Sequence, residues 1–305
     1  MSVENGFFDL QVNGFGGVDF NNDDLTAERM NLSCRIMRDD GVTGFLATIV
    51  TEELPVMLRR IKRMVELRKQ DPLVKEMVVG LHVEGPFINP QKGYVGAHPP
   101  DAVIPATRAA AEQLVDACDG LMKILTLAPE QDAGLTVTRW IADQKIVVAA
   151  GHTNADYNTL SAAADAGLSM FTHLGNGCPM EIPRHDNIVQ RALSMAGKIR
   201  FGLIADGVHV ALFALKNYLA VAGIENCFIV SDAISAAGLG PGTYRMGRRE
   251  IAVGEDKVVR SPDGTHLVGS AITLKASAKI LETLGFSQSQ IEQLTIHNPR
   301  KFIGL

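Results

Sequence analysis

The chain has 305 residues, 46% apolar and 21% charged, with a net charge of −5. That is enough for one large domain or two small ones, with a core of ordinary globular composition. The acidic balance argues against a general affinity for nucleic acid, and no apolar run approaches the ~20 residues of a membrane span.

The N-terminal stretch MSVENGFFDLQVNG has no basic segment followed by a long apolar run, so it does not read as a signal peptide. Strands are predicted at residues 7–12 and 44–50. Leu54, Met57, Leu58, Ile61, Met64 and Val65 then recur at helical spacing and predict a helix with one buried face. Further strands follow at 77–83, 123–127, 145–150, 169–172, 199–204 and 227–230. Leu212, Leu215, Leu219 and Ala222 mark a helix between the last two. Every strand run is apolar on both faces, the pattern of a buried parallel strand. Residues 238–269 break the rhythm with turn signals and short alternating runs, which predict a β-hairpin excursion. Leu274, Ala278, Leu281 and Leu284 form the next helical stripe, and 287–305 read as a closing helix and tail. Eight strands alternating with helices predict α/β architecture, a (β/α)8 TIM barrel forming a single domain over 1–305. An open doubly wound sheet is the alternative. The cysteines at 34, 118, 178 and 227 are too dispersed for a zinc knuckle or redox pair, which predicts a free-thiol cytoplasmic protein.

In a barrel, the C-terminal strand ends and their loops build the active site. Glu84 follows the third strand, His152 the fifth, His173 the sixth, His209 the seventh and Asp232 the eighth. Glu84, His152 and His173 form a common catalytic metal set that leaves a coordination position open. Any one of them alone would read equally as a structural hydrogen-bonding or capping residue. A carboxylate such as Asp232 can take a proton from water and pass it to a leaving amine; its bland reading is an N-cap for the next turn. His98, in the Gly/Pro-rich loop KGYVGAHPP, and His209 are candidates for substrate contact. The planar fork of Arg184, beside His185, suits phosphate oxygens, although a solvated surface charge is the alternative. Strand one ends in Gln11-Val12-Asn13, where many two-metal hydrolases of this architecture carry His-x-His. Amides are poor transition-metal ligands, so one tightly held ion is expected, with Gln11 and Asn13 hydrogen-bonding its water or ligands.

The segments DLQVNGFGGVDFN, GLHVEGPFIN, GHTNA, THLGN, IADGVHV, VSDAISAAG, DGTHLVGSAITL and NPRKFIGL occur in this order over nearly the whole chain. Together they resemble the N-acetylglucosamine-6-phosphate deacetylases, metal-dependent amidohydrolases. The resemblance implies that Glu84, His152 and His173 hold one divalent ion, zinc by default with iron(II) or another ion also fitting. It implies that Asp232 moves the proton, and that Ala97 and His98 contact substrate, His98 at the acetyl carbonyl. Asn176 and Gly177 would bind substrate partly through backbone, and Arg184 and His209 would handle phosphate or sugar hydroxyls. In relatives one such contact crosses a dimer interface, so a homodimer is expected. Leu267, Val268 and Gly269 would line the sugar pocket. Family members usually add a small β-sandwich from chain before and after the barrel. Only six residues precede FFDLQVNG, so a barrel-only form is expected. In THLGNGCP, Gly175, Gly177 and Cys178 stand where many relatives carry an aromatic residue and Ala-Met around the Asn, which implies a reshaped pocket. The rival readings are a deacetylase of another N-acetylated sugar or N-acyl amine, and a non-catalytic sugar-phosphate-binding module.

Overall fold

In the computed structural model, which describes residues 6–246, 249–254, 258–260 and 267–305, eight strands follow one another in chain order around one sheet. They are β1 (Phe7–Val12), β2 (Val42–Val50), β3 (Val78–Glu84), β4 (Met122–Leu127), β5 (Val147–Ala150), β6 (Leu168–Phe171), β7 (Arg200–Ile204) and β8 (Cys227–Val230). Each adjacent pair is parallel, so every connection must cross back over the sheet. Helices make those crossings: α1 (Ala27–Asp39), α2 (Leu54–Gln70) with α3 (Pro72–Met77), α4 (Arg108–Ala117), α5 (Thr136–Asp143), α6 (Tyr157–Asp165), α7 (Ile188–Leu193) and α8 (Leu212–Ala222). The strands run from one to eight without reversing direction across the sheet, which excludes the doubly wound alternative.

The seam between β1 and β8 has no full ladder among the described residues. An isolated parallel bridge, Val12 to Ala233, closes it. Ala233 O accepts from Asn13 N at 2.7 Å and Gly14 N at 3.1 Å. The Asp9 carboxylate adds a side-chain stitch, accepting Ser231 N at 3.2 Å. The result is the (β/α)8 barrel that the sequence predicted.

Alternation along the strands separates two apolar layers. Phe8, Leu10, Leu46, Ile124, Ala149, Met170, Ile204 and Phe228 pack together as the barrel interior. Residues of the opposite strand faces, such as Phe45, Leu125, Val148 and Phe201, pack with the surrounding helices. The closing segment is α9 (Leu274–Thr283), α10 (Gln288–Glu292), a π turn at Gln293–His297 and α11 (Asn298–Phe302). It seals the floor: Phe302 stacks on Phe228 at 5.6 Å, and the Arg300 guanidinium lies 4.5 Å over the Phe8 ring.

The predicted excursion is an antiparallel sheet of β9 (Gly242–Met246), β10 (Arg249–Val253) and β11 (Val259–Arg260). Residues 247–248, 255–257 and 261–266 of that prediction, and residues 1–5 of the N-terminal reading, lie outside the described residues. Ile251, Val253, Val259 and Val268 pack with Ile234, Ala236 and Ala97, which binds this sheet to the loops at the mouth.

Candidate active site

Glu84 is the last residue of β3 and is 3% exposed. Its Oε1 lies 2.9 Å from His173 Nε2 and 3.3 Å from His152 Nε2. His98 reaches in from its loop, with Nε2 3.2 Å from His152 Nε2. Four donors therefore converge; among the described residues, ligand atoms of Glu84, His98 and His152 all lie within 4.8 Å of one another. Local backbone makes this possible. His152, His173 and Asp232, each just beyond a strand end, have φ of 50°, 34° and 48°. Such left-handed values are uncommon outside glycine and carry strain that clusters at functional sites. A Cβ on Gly177 would stand 2.9 Å from His152 Nδ1, so only glycine lets that loop close over the ring.

Hydrogen bonding sets what the cluster can hold. Tyr94 O can only accept, so His152 Nδ1 donates to it at 2.7 Å. In the neutral ring Nε2 then presents a lone pair to the Glu84 carboxylate and to His98. Lone pairs facing a carboxylate are reconciled only by positive charge between them, either extra protons or a metal ion. An imidazole whose far nitrogen donates to a carbonyl is the usual arrangement of a metal-binding histidine. The donor set of one carboxylate and two strand-end imidazoles thus fits a divalent ion. Burial opposes charge on Glu84, yet the His152 and His173 imidazoles beside it hold its carboxyl well below the usual range. Burial alone would lower His173, but the Glu84 carboxylate draws it up instead.

The two first-strand amides face the two carboxylates. Gln11 Nε2 lies 3.3 and 3.2 Å from the Glu84 oxygens, and Asn13 Nδ2 donates to Asp232 Oδ1 at 2.7 Å. Gln11 Oε1, Asn13 Oδ1 and His173 Nδ1 are buried without a hydrogen-bond partner among the described residues, the state of polar atoms where a ligand or water can sit. Burial first, and the Glu84 charge second, push the Asp232 carboxyl up to about 6, within the range in which a carboxyl can exchange a proton near neutral pH.

The remaining predicted residues are distributed around this centre. Asn176 folds back, with N and Nδ2 donating to His173 O at 2.9 and 3.2 Å. Ala97 packs with Val268 and Ile234, and Gly269 sits close to Ile234. Leu267 bridges to Arg260 beside them. His209 Nδ1 bonds Asp206 Oδ2 at 2.6 Å. Arg184 and His185 are exposed, and among the described residues neither makes a hydrogen bond or ion pair to the cluster.

Four residues that support the site are not singled out by the sequence reading. Glu130 follows β4 and ties two loops together: it accepts from Asn89 Nδ2 at 2.9 Å and Asn154 N at 2.7 Å, and bonds Thr153 Oγ1. Its place just beyond a strand end is the signal that could have found it. Asp206, three residues before His209 at the end of β7, shares that signal. His82 is hidden inside an apolar run; its ring bonds Leu10 O at 3.1 Å and Thr126 Oγ1 at 2.7 Å within the barrel. Asp9, pushed by burial up to about 7, is likewise masked by the apolar residues around it.

No family model matches the chain. It is 34% identical over 311 residues to N-acetylglucosamine-6-phosphate deacetylase of Bos taurus, covering 98% of this chain and 74% of that protein. It is 31% identical to N-acetylgalactosamine-6-phosphate deacetylase of Shewanella sp. (strain ANA-3), covering 98% of this chain and 73% of that one. Among solved structures, a variant of N-acetyl-D-glucosamine-6-phosphate deacetylase from Mycobacterium smegmatis, in complex with N-acetyl-D-glucosamine-6-phosphate, superposes with a TM-score of 0.87 at 28% identity. The match covers 98% of this chain and 77% of that chain.

Proposed function

The chain belongs to the N-acetylglucosamine-6-phosphate deacetylase family, and we propose that it hydrolyses the acetamide of N-acetylglucosamine 6-phosphate to acetate and glucosamine 6-phosphate. The observation that carries the chemistry is the Tyr94 hydrogen bond, which turns the His152 Nε2 lone pair toward Glu84 and so calls for a cation. We assign Glu84, His152 and His173 to one divalent metal ion. All three stand at strand ends, whereas His98 comes from a loop and is assigned to the acyl oxygen. When bound, the ion supplies Lewis acidity, polarising the acyl carbonyl and acidifying water. Zinc is the first choice for this donor set, and iron(II) fits it too.

The protein groups do the rest. Asp232, held by Asn13, accepts a proton from the attacking water and returns it to the amine nitrogen as the C–N bond breaks. Gln11 steadies Glu84 by its amide donor. Asn176 and Gly177 would meet the sugar through backbone, and Ala97, Leu267, Val268 and Gly269 would form the apolar wall. Arg184 would bind the 6-phosphate, and His209 a phosphate oxygen or sugar hydroxyl.

We read residues 1–305 as a single barrel domain. Four cysteines without a disulfide among the described residues support a cytoplasmic setting. A homodimer is part of the proposal, supported by Met180 at 99% and Phe213 at 75% exposure, and light scattering tests it. The similarity to an N-acetylgalactosamine-6-phosphate deacetylase favours that sugar as the second reading. Acetate release from the two acetylated sugars, each with and without its phosphate, decides between them. Full activity after exhaustive chelation would reject the proposed chemistry.

A further inference from the structure

Asp206 lies just past β7 and is positioned by its own loop: Oδ1 accepts the backbone N–H of Val208 and of His209, each at 2.8 Å. Its other oxygen is turned to two different partners. Oδ2 accepts His209 Nδ1–H at 2.6 Å and Ser270 Oγ–H at 3.3 Å. Ser270 in turn donates its backbone N–H to Asp232 O at 3.0 Å and directly follows Leu267, Val268 and Gly269. One carboxylate thereby joins the loop of His209 to the returning wall segment and, through Ser270, to Asp232 just beyond β8.

We propose that Asp206 is a positioning residue for substrate recognition: it fixes the ring of His209 with Nδ1–H spent on the carboxylate, so that Nε2 is the edge offered to the substrate, and it locks that ring to the Val268–Ser270 wall. The inference rests on the reading of His209 as a substrate residue. Burial raises Asp206, but the hydrogen bond and charge of His209 outweigh it and keep the carboxyl below its ordinary value, so Oδ2 acts as an acceptor. An ionised carboxylate cannot donate, and the shared hydrogen must therefore sit on Nδ1. A charge-assisted bond of this kind restrains the ring more strongly than a neutral one.

Asp206→Asn is the discriminating change. The amide oxygen can still accept the two backbone N–H groups, while the NH2 replacing Oδ2 cannot accept from Nδ1–H. With N-acetylglucosamine 6-phosphate as substrate, Asp206→Asn should raise KM roughly tenfold and leave kcat within about threefold, the loss expected for one charge-assisted hydrogen bond. His209→Gln should raise KM comparably, and the double variant should be no worse than His209→Gln alone. Penalties that multiply in the double variant would overturn the proposal, because Asp206 would then act through the loop and not through the ring. A raised KM in His209→Gln with a normal KM in Asp206→Asn would overturn it while leaving His209 as a substrate residue. An unchanged KM in His209→Gln would sink both. Nitrogen-15 NMR of histidine-labelled wild type, with His209 assigned by loss of its signal in His209→Gln, gives a readout independent of variant folding. Protonated Nδ1 is expected, and a bare Nδ1 would overturn the assignment.

Discussion

At the floor of the barrel, Phe302 stacks on Phe228 in the apolar cluster that also holds Phe8, and Arg300 covers Phe8 while donating to Gly6 O at 3.3 Å and Thr43 Oγ1 at 2.5 Å. At the mouth, about a strand length away on the same eight strands, the Glu84 carboxylate and three imidazoles are buried together beside the half-buried Asp232. The backbone there is strained at His152, His173 and Asp232, and among the described residues polar atoms of Gln11, Asn13 and His173 have no hydrogen-bond partner. The floor gains from the packing of its apolar rings. The mouth spends part of that stability on groups whose partner is a ligand. Stability and chemistry are thus segregated along the barrel axis, and substitutions at the two ends should separate in the same way.

The largest effect is expected from Asp232→Asn, which should lower kcat by about a thousandfold through loss of the proposed proton carrier, with no loss of melting temperature. The acid limb of kcat in wild type should lie at or below pH 6, because Asp232 must be ionised to accept a proton and a bound cation lowers its pKa further. A melting temperature that fell along with activity would blur the proposed division. Next is His82, midway between the ends, whose pKa is lowered by burial to about 4. Below the ordinary histidine value the unfolded chain takes up a proton that the folded ring refuses. Stability is therefore complete above pH ~6.5 and is lost as pH falls toward 4, by up to about 3 kcal/mol from this ring. Urea titrations of His82→Gln across that window should show a shallower pH dependence than wild type.

At the floor, Phe302→Ala should cost about 2–3 kcal/mol of stability, measured by denaturant unfolding, with kcat within twofold of wild type. A large fall in kcat for a still-folded variant would break the comparison by coupling floor to mouth. The smallest expected effect is at the rim, where Arg184→Ala should raise KM for the phosphorylated sugar by about tenfold and leave KM for the unphosphorylated sugar unchanged. Equal KM changes for both sugars would move the phosphate site away from Arg184.

Much of the framework was legible because it rests on local signals. Strand runs such as 44–50 and 227–230 are short, apolar and β-branched, and helical stripes such as Leu54 to Val65 repeat at 3.6 residues. Boundaries shifted where backbone geometry intervened. Lys145, for example, was expected inside strand five, but its φ of 63° makes it part of a turn, and β5 starts at Val147. The excursion was predicted as a hairpin; a third short strand, β11, became visible only when its pairing with β10 was formed.

By itself, the sequence determined how many strands alternate with helices, and which acid and imidazole side chains stand just beyond strand ends. Both follow from periodicity and from the direction in which a parallel barrel presents its loops. Only the tertiary structure decided the partners: Asn13 with Asp232 across the seam, Tyr94 O behind His152, His98 beside His152, Asp206 between His209 and Ser270. Hydrogen bonds reach about 3 Å, and residues as far apart in the chain as 13 and 232 come within that reach only once the barrel has closed.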